Sequence, residues 1–304
     1  MEDLVSGGRR MIHPDIPRAG ALLAGFPADK PDVEEALYSW YLAMTPLPVR
    51  VGGPTPVDVN LAGVLDAAHA DATRFVGGWR VESVVGMGGV VACKGEFRRY
   101  LGRGAYVVPA RPGLAAREGD ALLARAAWTW CDAEHGFWYT RQGVWPPPGA
   151  DRLMRTYLNV APDDVPRAVE VLTGLLGKHR GVSYQLKTPL EHEGRADAIV
   201  LYLGAPDAVA LDGELRAAVR ELCDVLRPAR PRFCAAIAPG VGQAEGSLDG
   251  DSFGAARCQV LERIWREMAP QARRDPTVVT QAIVNGFKAA GIDPIRPHLL
   301  EASP

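Results

Sequence analysis

"MRTYLNVAPDDVPRAVEVLTGLLGKHRGVSYQLKTP", residues 154–189, reads as strand, turn, helix, turn, strand. In "RTYLNV" the side chains alternate, so Arg155, Tyr157 and Asn159 share one face and Thr156, Leu158 and Val160 the other. In "SYQLKT" Ser183, Gln185 and Lys187 share a face. The helix between, 163–178, gathers Val165, Ala168, Val169, Leu172 and Leu176 on one stripe. Each strand therefore carries one long cation, Arg155 or Lys187, in an otherwise apolar or hydroxylated run. Cations are seldom buried without a partner, and neither strand supplies one. An anionic ligand is the candidate partner.

Working outward, "ADAIVLYLG" (196–204) reads as a fully buried strand, with Ala198, Val200 and Tyr202 alternating against Ile199, Leu201 and Leu203. A helix is expected over 207–226, facing inward with Ala208, Leu211, Leu215, Val219, Leu222 and Val225. "APGVGQAEGSLDGDSFG" (238–254) reads as a Gly-rich loop entering a helix over 253–268, and Pro276 opens a last helix to about residue 290. Before residue 150, "KPDVEEALYSWYLAMTPLP" places Val33, Ala36, Leu37, Trp40 and Tyr41 on one helical face. "NLAGVLDAAHADATRFV" is a second amphipathic helix. The segment 79–109 alternates with Gly at its turns, as a β-meander does, and "GFWYTRQGVW" is a further strand. "WPPPGAD" (145–151) interrupts the pattern with three prolines, which remove backbone donors and enforce extended geometry. The expected class is α+β, a mixed or antiparallel sheet with flanking helices. The expected division is 1–148, a helical and β part for peptide or partner binding, and 149–304, the part carrying the cationic strands.

Composition narrows the function. The 304 residues are 47% hydrophobic and 23% charged, ordinary for a globular chain, and the formal net charge of −2 gives no general attraction to nucleic acid or an acidic membrane. Any anion site must be a local cluster. The five cysteines are scattered without a C-x-x-C pair, so neither a disulfide framework nor a metal site is expected, and no cofactor fingerprint is present. "MEDLVSGGRRMIHPD" lacks the apolar core of a signal peptide, and no run approaches a membrane span, so a cytoplasmic location is expected.

One sheet face carrying Arg155, Tyr157, Asn159, Gln185, Lys187 and Tyr202, with Arg195 beside it, has two readings. It is a solvated polar surface, or it is a pocket in which Arg, Lys and tyrosine hydroxyls meet a dianionic phosphate. "CKGEFRRYLGRG" gathers Lys94, Arg98, Arg99 and Arg103 as either an edge strand with protective charges or a further phosphate contact. Ser252 suits the cap of the helix from 253, and a helix N-terminus there also suits an anion, with Arg257 one turn on. His192 sits in an exposed loop between Lys187 and Arg195, and His135 is similarly placed near the aromatic strand.

"RTYLNV…DDVPRAVEVL…VSYQLKT…RADAIVLYLGAPD", followed by "APGVGQAEGSLDGDSFGAARCQVL", resembles the HopA-type effector family. That family comprises bacterial type III effectors and the lyase subunits that act in class V lanthipeptide and thioamide-containing peptide pathways. The resemblance runs over roughly residues 36–268. The same region is similar, more distantly, to the phosphothreonine lyase effectors. On that likeness Lys187 takes the place of the base, Tyr157 that of a histidine general acid, and Arg155, Arg195 and Tyr202 those of phosphate-binding positions. Two positions depart from the pattern: Tyr157 is not histidine, and Gly204 stands where a lysine would bind phosphate. His192 is then the competing acid, and Lys94 and Arg257 are further phosphate candidates.

The resemblance implies β-elimination of phosphate from phosphoserine or phosphothreonine, without metal or cofactor. The expected substrate is a phosphorylated precursor peptide, and the chain carries no P-loop and no kinase motif, so a separate kinase partner would supply the phosphate. Two other readings stay open: an effector lyase acting on a host protein, and a noncatalytic adaptor that binds a kinase and a leader peptide.

Overall fold

A computed structural model describes residues 11–42, 59–71, 73–132, 134–190, 195–248 and 252–300. Helices α1 (Asp15–Ala24), α2 (Val33–Tyr41) and α3 (Val59–Ala68) precede strands β1 (Phe75–Val85), β2 (Gly89–Lys94), β3 (Phe97–Leu101), β4 (Tyr106–Val107) and β5 (Ala121–Arg125). Next come β6 (Ala127–Asp132), β7 (Phe137–Gln142), β8 (Leu153–Leu158), α4 (Val165–Gly177), β9 (Tyr184–Pro189) and β10 (Ile199–Gly204). The chain continues through α5 (Ala205–Ala210), α6 (Asp212–Glu221), β11 (Ala235–Ala238), β12 (Val241–Gly246), α7 (Phe253–Glu267) and α8 (Pro276–Ala289).

The strands form two antiparallel sheets, so the fold is α+β as the sequence predicts. One sheet has the order β3-β2-β1-β5-β4: β1 to β3 form a meander as expected, while β4 joins the sheet through β5. The other has the order β11-β12-β8-β10-β9-β7-β6. The division expected at 148/149 runs through this second sheet, because β7 lies before the prolines yet pairs with β9 after them.

Alternation along β8, β9 and β10 gives the large sheet two apolar faces. One packs Leu158, Leu186 and Ile199 against Leu65 of α3, the inward stripe of α4, and Ala218 and Val219 of α6. The other presents Tyr157, Val200 and Ala244 to α1, α2, α7 and α8, where Leu37, Phe253, Trp265 and Phe287 close the layer. Each fully buried large apolar side chain contributes about 1.5–3 kcal/mol. The Trp265 indole also donates to the carbonyl of Leu23 at 3.2 Å, fastening α7 to α1.

Two expectations are corrected. The helix expected over 207–226 is broken into α5 and α6 at Leu211, which turns into the core between Ala208 and Leu215, next to the weak helix former Gly213. The stretch read as a Gly-rich loop holds the end of β11 and all of β12, and β12 is an interior strand pairing with β8. Its glycines reflect close approach rather than flexibility. A Cβ at Gly242 would stand 2.9 Å from the Cβ of Cys234, and one at Gly246 would stand 2.5 Å from Nε of Arg155.

Candidate active site

Cross-strand register assembles the site. Arg155 of β8 pairs with Tyr202 of β10, which pairs with Gln185 of β9. One pair further, Tyr157 opposes Val200, and Val200 opposes Lys187. Lys187 in turn faces Tyr139 of β7. Arg155, Tyr157, Gln185, Lys187 and Tyr202 thus line one cavity of about 250 Å³. Val200 leaves room between the cations because it is the short side chain of that row. Tyr38 of α2, Ser252 at the start of α7 and Trp145 from the proline segment complete the rim.

Burial sets the character of the cations. Arg155 is 4% exposed, with its guanidinium carbon 5.5 Å from the centre of the Tyr202 ring. Lys187 places Nζ 3.5 Å from the centre of the Phe137 ring. Burial lowers the Lys187 pKa below the usual lysine value; the Asp197 carboxylate opposes this, while Arg195 and Arg155 push it lower still. Arg195 is anchored by a two-point pair to Asp197, with Nε to Oδ1 at 3.0 Å and Nη2 to Oδ2 at 2.9 Å. Burial disfavours its charge, but Asp197 more than restores it, so its pKa is raised. One edge of the Arg195 fork is thereby committed to Asp197, and the Tyr38 side chain is a further hydrogen-bond partner at the cavity rim. Burial also raises the Tyr202 phenol to about 12 and keeps the Tyr157 hydroxyl protonated well beyond the usual range.

The other candidates lie elsewhere. Arg257 is buried but directs its guanidinium to the carbonyls of Pro297 and Leu299, each at 3.0 Å, so it holds the C-terminal segment. Lys94 donates to the carbonyl of Gly77 at 3.1 Å on the smaller sheet. Asn159 donates to the carbonyl of Ala229 at 2.9 Å, outside the cavity. His135 is exposed and pairs with Asp132 at 3.0 Å. His192 lies outside the described residues. Ser252 caps α7 by accepting from the Ala255 amide at 3.4 Å, the role its position suggested.

Sequence reading missed Asp197, although the Arg195-x-Asp197 spacing is that of a locally paired cation. It also left Phe137 and Tyr139 unassigned; their alternation in "FWYTRQ" puts both on the Lys187 side. Among the described residues no group of His, Cys, Asp and Glu is arranged to hold a metal ion. No helix among them is long and apolar enough to cross a membrane.

The family model described as the HopA1 effector protein family matches residues 131–299, which contain β7 to α8 and every cationic residue of the cavity. Two solved structures share the fold. The effector protein from Pseudomonas syringae pv. tomato strain DC3000 is 14% identical, with a TM-score of 0.52 over 94% of this chain and 96% of that one. The effector protein from Pseudomonas syringae pv. syringae strain 61 is 15% identical, with a TM-score of 0.53 over 95% and 96%. Comparison with curated proteins finds no match. With more than half of its length matched, the chain belongs to the HopA1 effector protein family.

Proposed function

We propose that the protein is a phosphoserine/phosphothreonine lyase acting on a phosphorylated precursor peptide made by a separate kinase. The observation that carries this reading is Lys187, a lysine of lowered pKa set between two arginines in a cavity. In the proposed reaction neutral Nζ of Lys187 removes the α-proton, the Cα–H electrons form the Cα=Cβ bond, and the Cβ–O bond breaks as phosphate departs with its electron pair. Arg155 and Arg195 neutralise the leaving phosphate. Phe137 favours the ammonium form, so the aromatic wall offsets part of the burial effect and keeps the lysine a usable base. Mass spectrometry of a synthetic phosphopeptide incubated with the protein tests the reading: loss of phosphoric acid from the peptide is the expected result, and an unchanged peptide mass counts against it.

The pH dependence has a definite sign. Because Lys187 acts deprotonated, kcat/KM rises with pH and levels off above its pKa, which lies below that of an ordinary lysine. Asp197 raises that pKa. Asp197→Asn is therefore expected to move the acid limb to lower pH, as read from the pH–rate profile, while also loosening Arg195.

Tyr157 stands where the likeness to phosphothreonine lyases calls for an acid, yet burial makes its phenol a weak one. With arginines neutralising the phosphate, Tyr157→Phe is expected to lower kcat by no more than about tenfold. A loss on the order of 10²–10⁴ would assign it the proton donation, and His192→Ala is the control.

A further inference from the structure

A second cavity, of about 670 Å³, lies where the two sheets meet. Its walls carry Arg74, Lys94, Arg99 and Arg180 together with the indoles of Trp79 and Trp128, and among the described residues no Asp or Glu lines it. Arg74 is already matched, with Asp71 at 2.7 Å. Arg99 is not: among the described residues it stacks at 3.9 Å on Trp128 and donates to the carbonyl of Arg125 at 3.1 Å, with no carboxylate partner. No opposite charge among the described residues offsets its desolvation, and burial lowers its pKa to about 10. The rings of Trp79 and Trp128 add an aromatic surface to the same cavity. Together the cation and the rings call for an anionic, ring-bearing ligand.

The cavity and the site lie along the same strand: Gln142 of β7 lines the cavity and Tyr139 of β7 lines the site. Ser183 lines the cavity, and Lys187 lies four residues further on β9, on the same face, about 13 Å away at ~3.3 Å per residue. Between them runs a bench of aromatic rings. Arg141 sits 5.7 Å from the Trp128 ring, 5.1 Å from Trp130 and 5.1 Å from Trp145. Trp130 stacks on Tyr139 at 4.9 Å. An extended chain crossing this bench would place side chains in both cavities.

The geometry points to the inter-sheet cavity as a docking site for an acidic, aromatic-containing segment of the peptide substrate, about four residues from the phosphorylated one. This rests on the lyase reading for the identity of the chain, but the cavity's occupancy is measurable by itself. Single-stranded nucleic acid is the other polyanion with flat rings, and the chain's net charge of −2 disfavours it.

The test uses the intact protein and two kinds of synthetic peptide. A fluorescein-labelled, unphosphorylated peptide containing Glu-Phe-Glu is titrated by anisotropy. Phosphoserine peptides with that tripeptide four residues to either side are compared kinetically with an all-alanine phosphopeptide. Binding that weakens with added salt, and a KM lower on the order of tenfold for one of the two extended phosphopeptides, is the expected result. Arg99→Glu should abolish both effects, and the exposed Arg180→Glu, which perturbs no packing, should weaken them. Equal KM values for all three phosphopeptides, affinity retained in both variants, or tighter binding of an oligothymidylate competitor would overturn the docking site. Failure of every phosphopeptide to eliminate would overturn the lyase reading instead and leave the anisotropy result to decide the cavity.

Discussion

Lys187→Met is expected to abolish elimination while leaving the protein folded and as stable as the parent or more so. Loss of a general base costs about 10²–10⁴-fold, and methionine retains the stem that packs beside Phe137. Lys187→Ala should be equally inactive. The stability half follows from linkage. The folded-state pKa of Lys187 is lowered, so between that value and the ordinary lysine pKa the unfolded chain binds more protons and stability rises with pH. Below the folded-state pKa the penalty of the buried ammonium is fully present, and that range includes neutral pH whenever the lysine is mostly protonated there. Removing the charge removes the penalty. Turnover by phosphate release, thermal unfolding, and phosphopeptide binding by anisotropy check the three parts. Residual turnover within tenfold of the parent would remove Lys187 from the mechanism.

Arg155→Met is expected to lower kcat/KM on the order of 10²-fold or more, because charge-assisted hydrogen bonds to a phosphate are worth about 1.5–3 kcal/mol each and more than one is lost. Arg155→Lys should recover only part of this, since a point charge does not reproduce the planar fork. Gly246→Ala supplies an independent route to the same defect. Its Cβ would stand 2.5 Å from Nε and 2.8 Å from the guanidinium carbon of Arg155, forcing the side chain from its place without altering its charge. Steady-state kinetics on one phosphopeptide should show all three impaired in phosphate handling, Arg155→Lys less than Arg155→Met, with near-native circular dichroism. Unchanged kinetics in Arg155→Met would make this arginine a structural cation only.

The α+β class was legible from the alternation of strand and helix periods, and so was the pairing of strand faces. Arg155, Tyr157, Gln185, Lys187 and Tyr202 share a face because a period of two leaves no other choice once their strands lie side by side. The polar and cationic residues in these runs were visible for the same reason. Helix α4 followed directly from its apolar stripe.

Tertiary structure decided the rest. Gly242 and Gly246 read as loop because local preference disfavours glycine in strands; only the approach of Cys234 and Arg155 explains their place in β12. Arg257, Lys94 and Arg195 are alike in sequence as candidate phosphate ligands. One is spent on the C-terminal carbonyls, one on a strand carbonyl of the other sheet, and one is held by Asp197 at the cavity. Periodicity records none of these partners: the carbonyls belong to segments distant in the chain, and Arg195 and Asp197 lie between β9 and β10, where no regular period applies. Likewise the lowered pKa of Lys187 is a property of burial in a cavity walled by Tyr38 of α2 and by Phe137 and Tyr139 of β7, which no strand carries in its own sequence. Strand period alone assigned the face; the packing of distant segments over it decided which of its charges stand in a cavity.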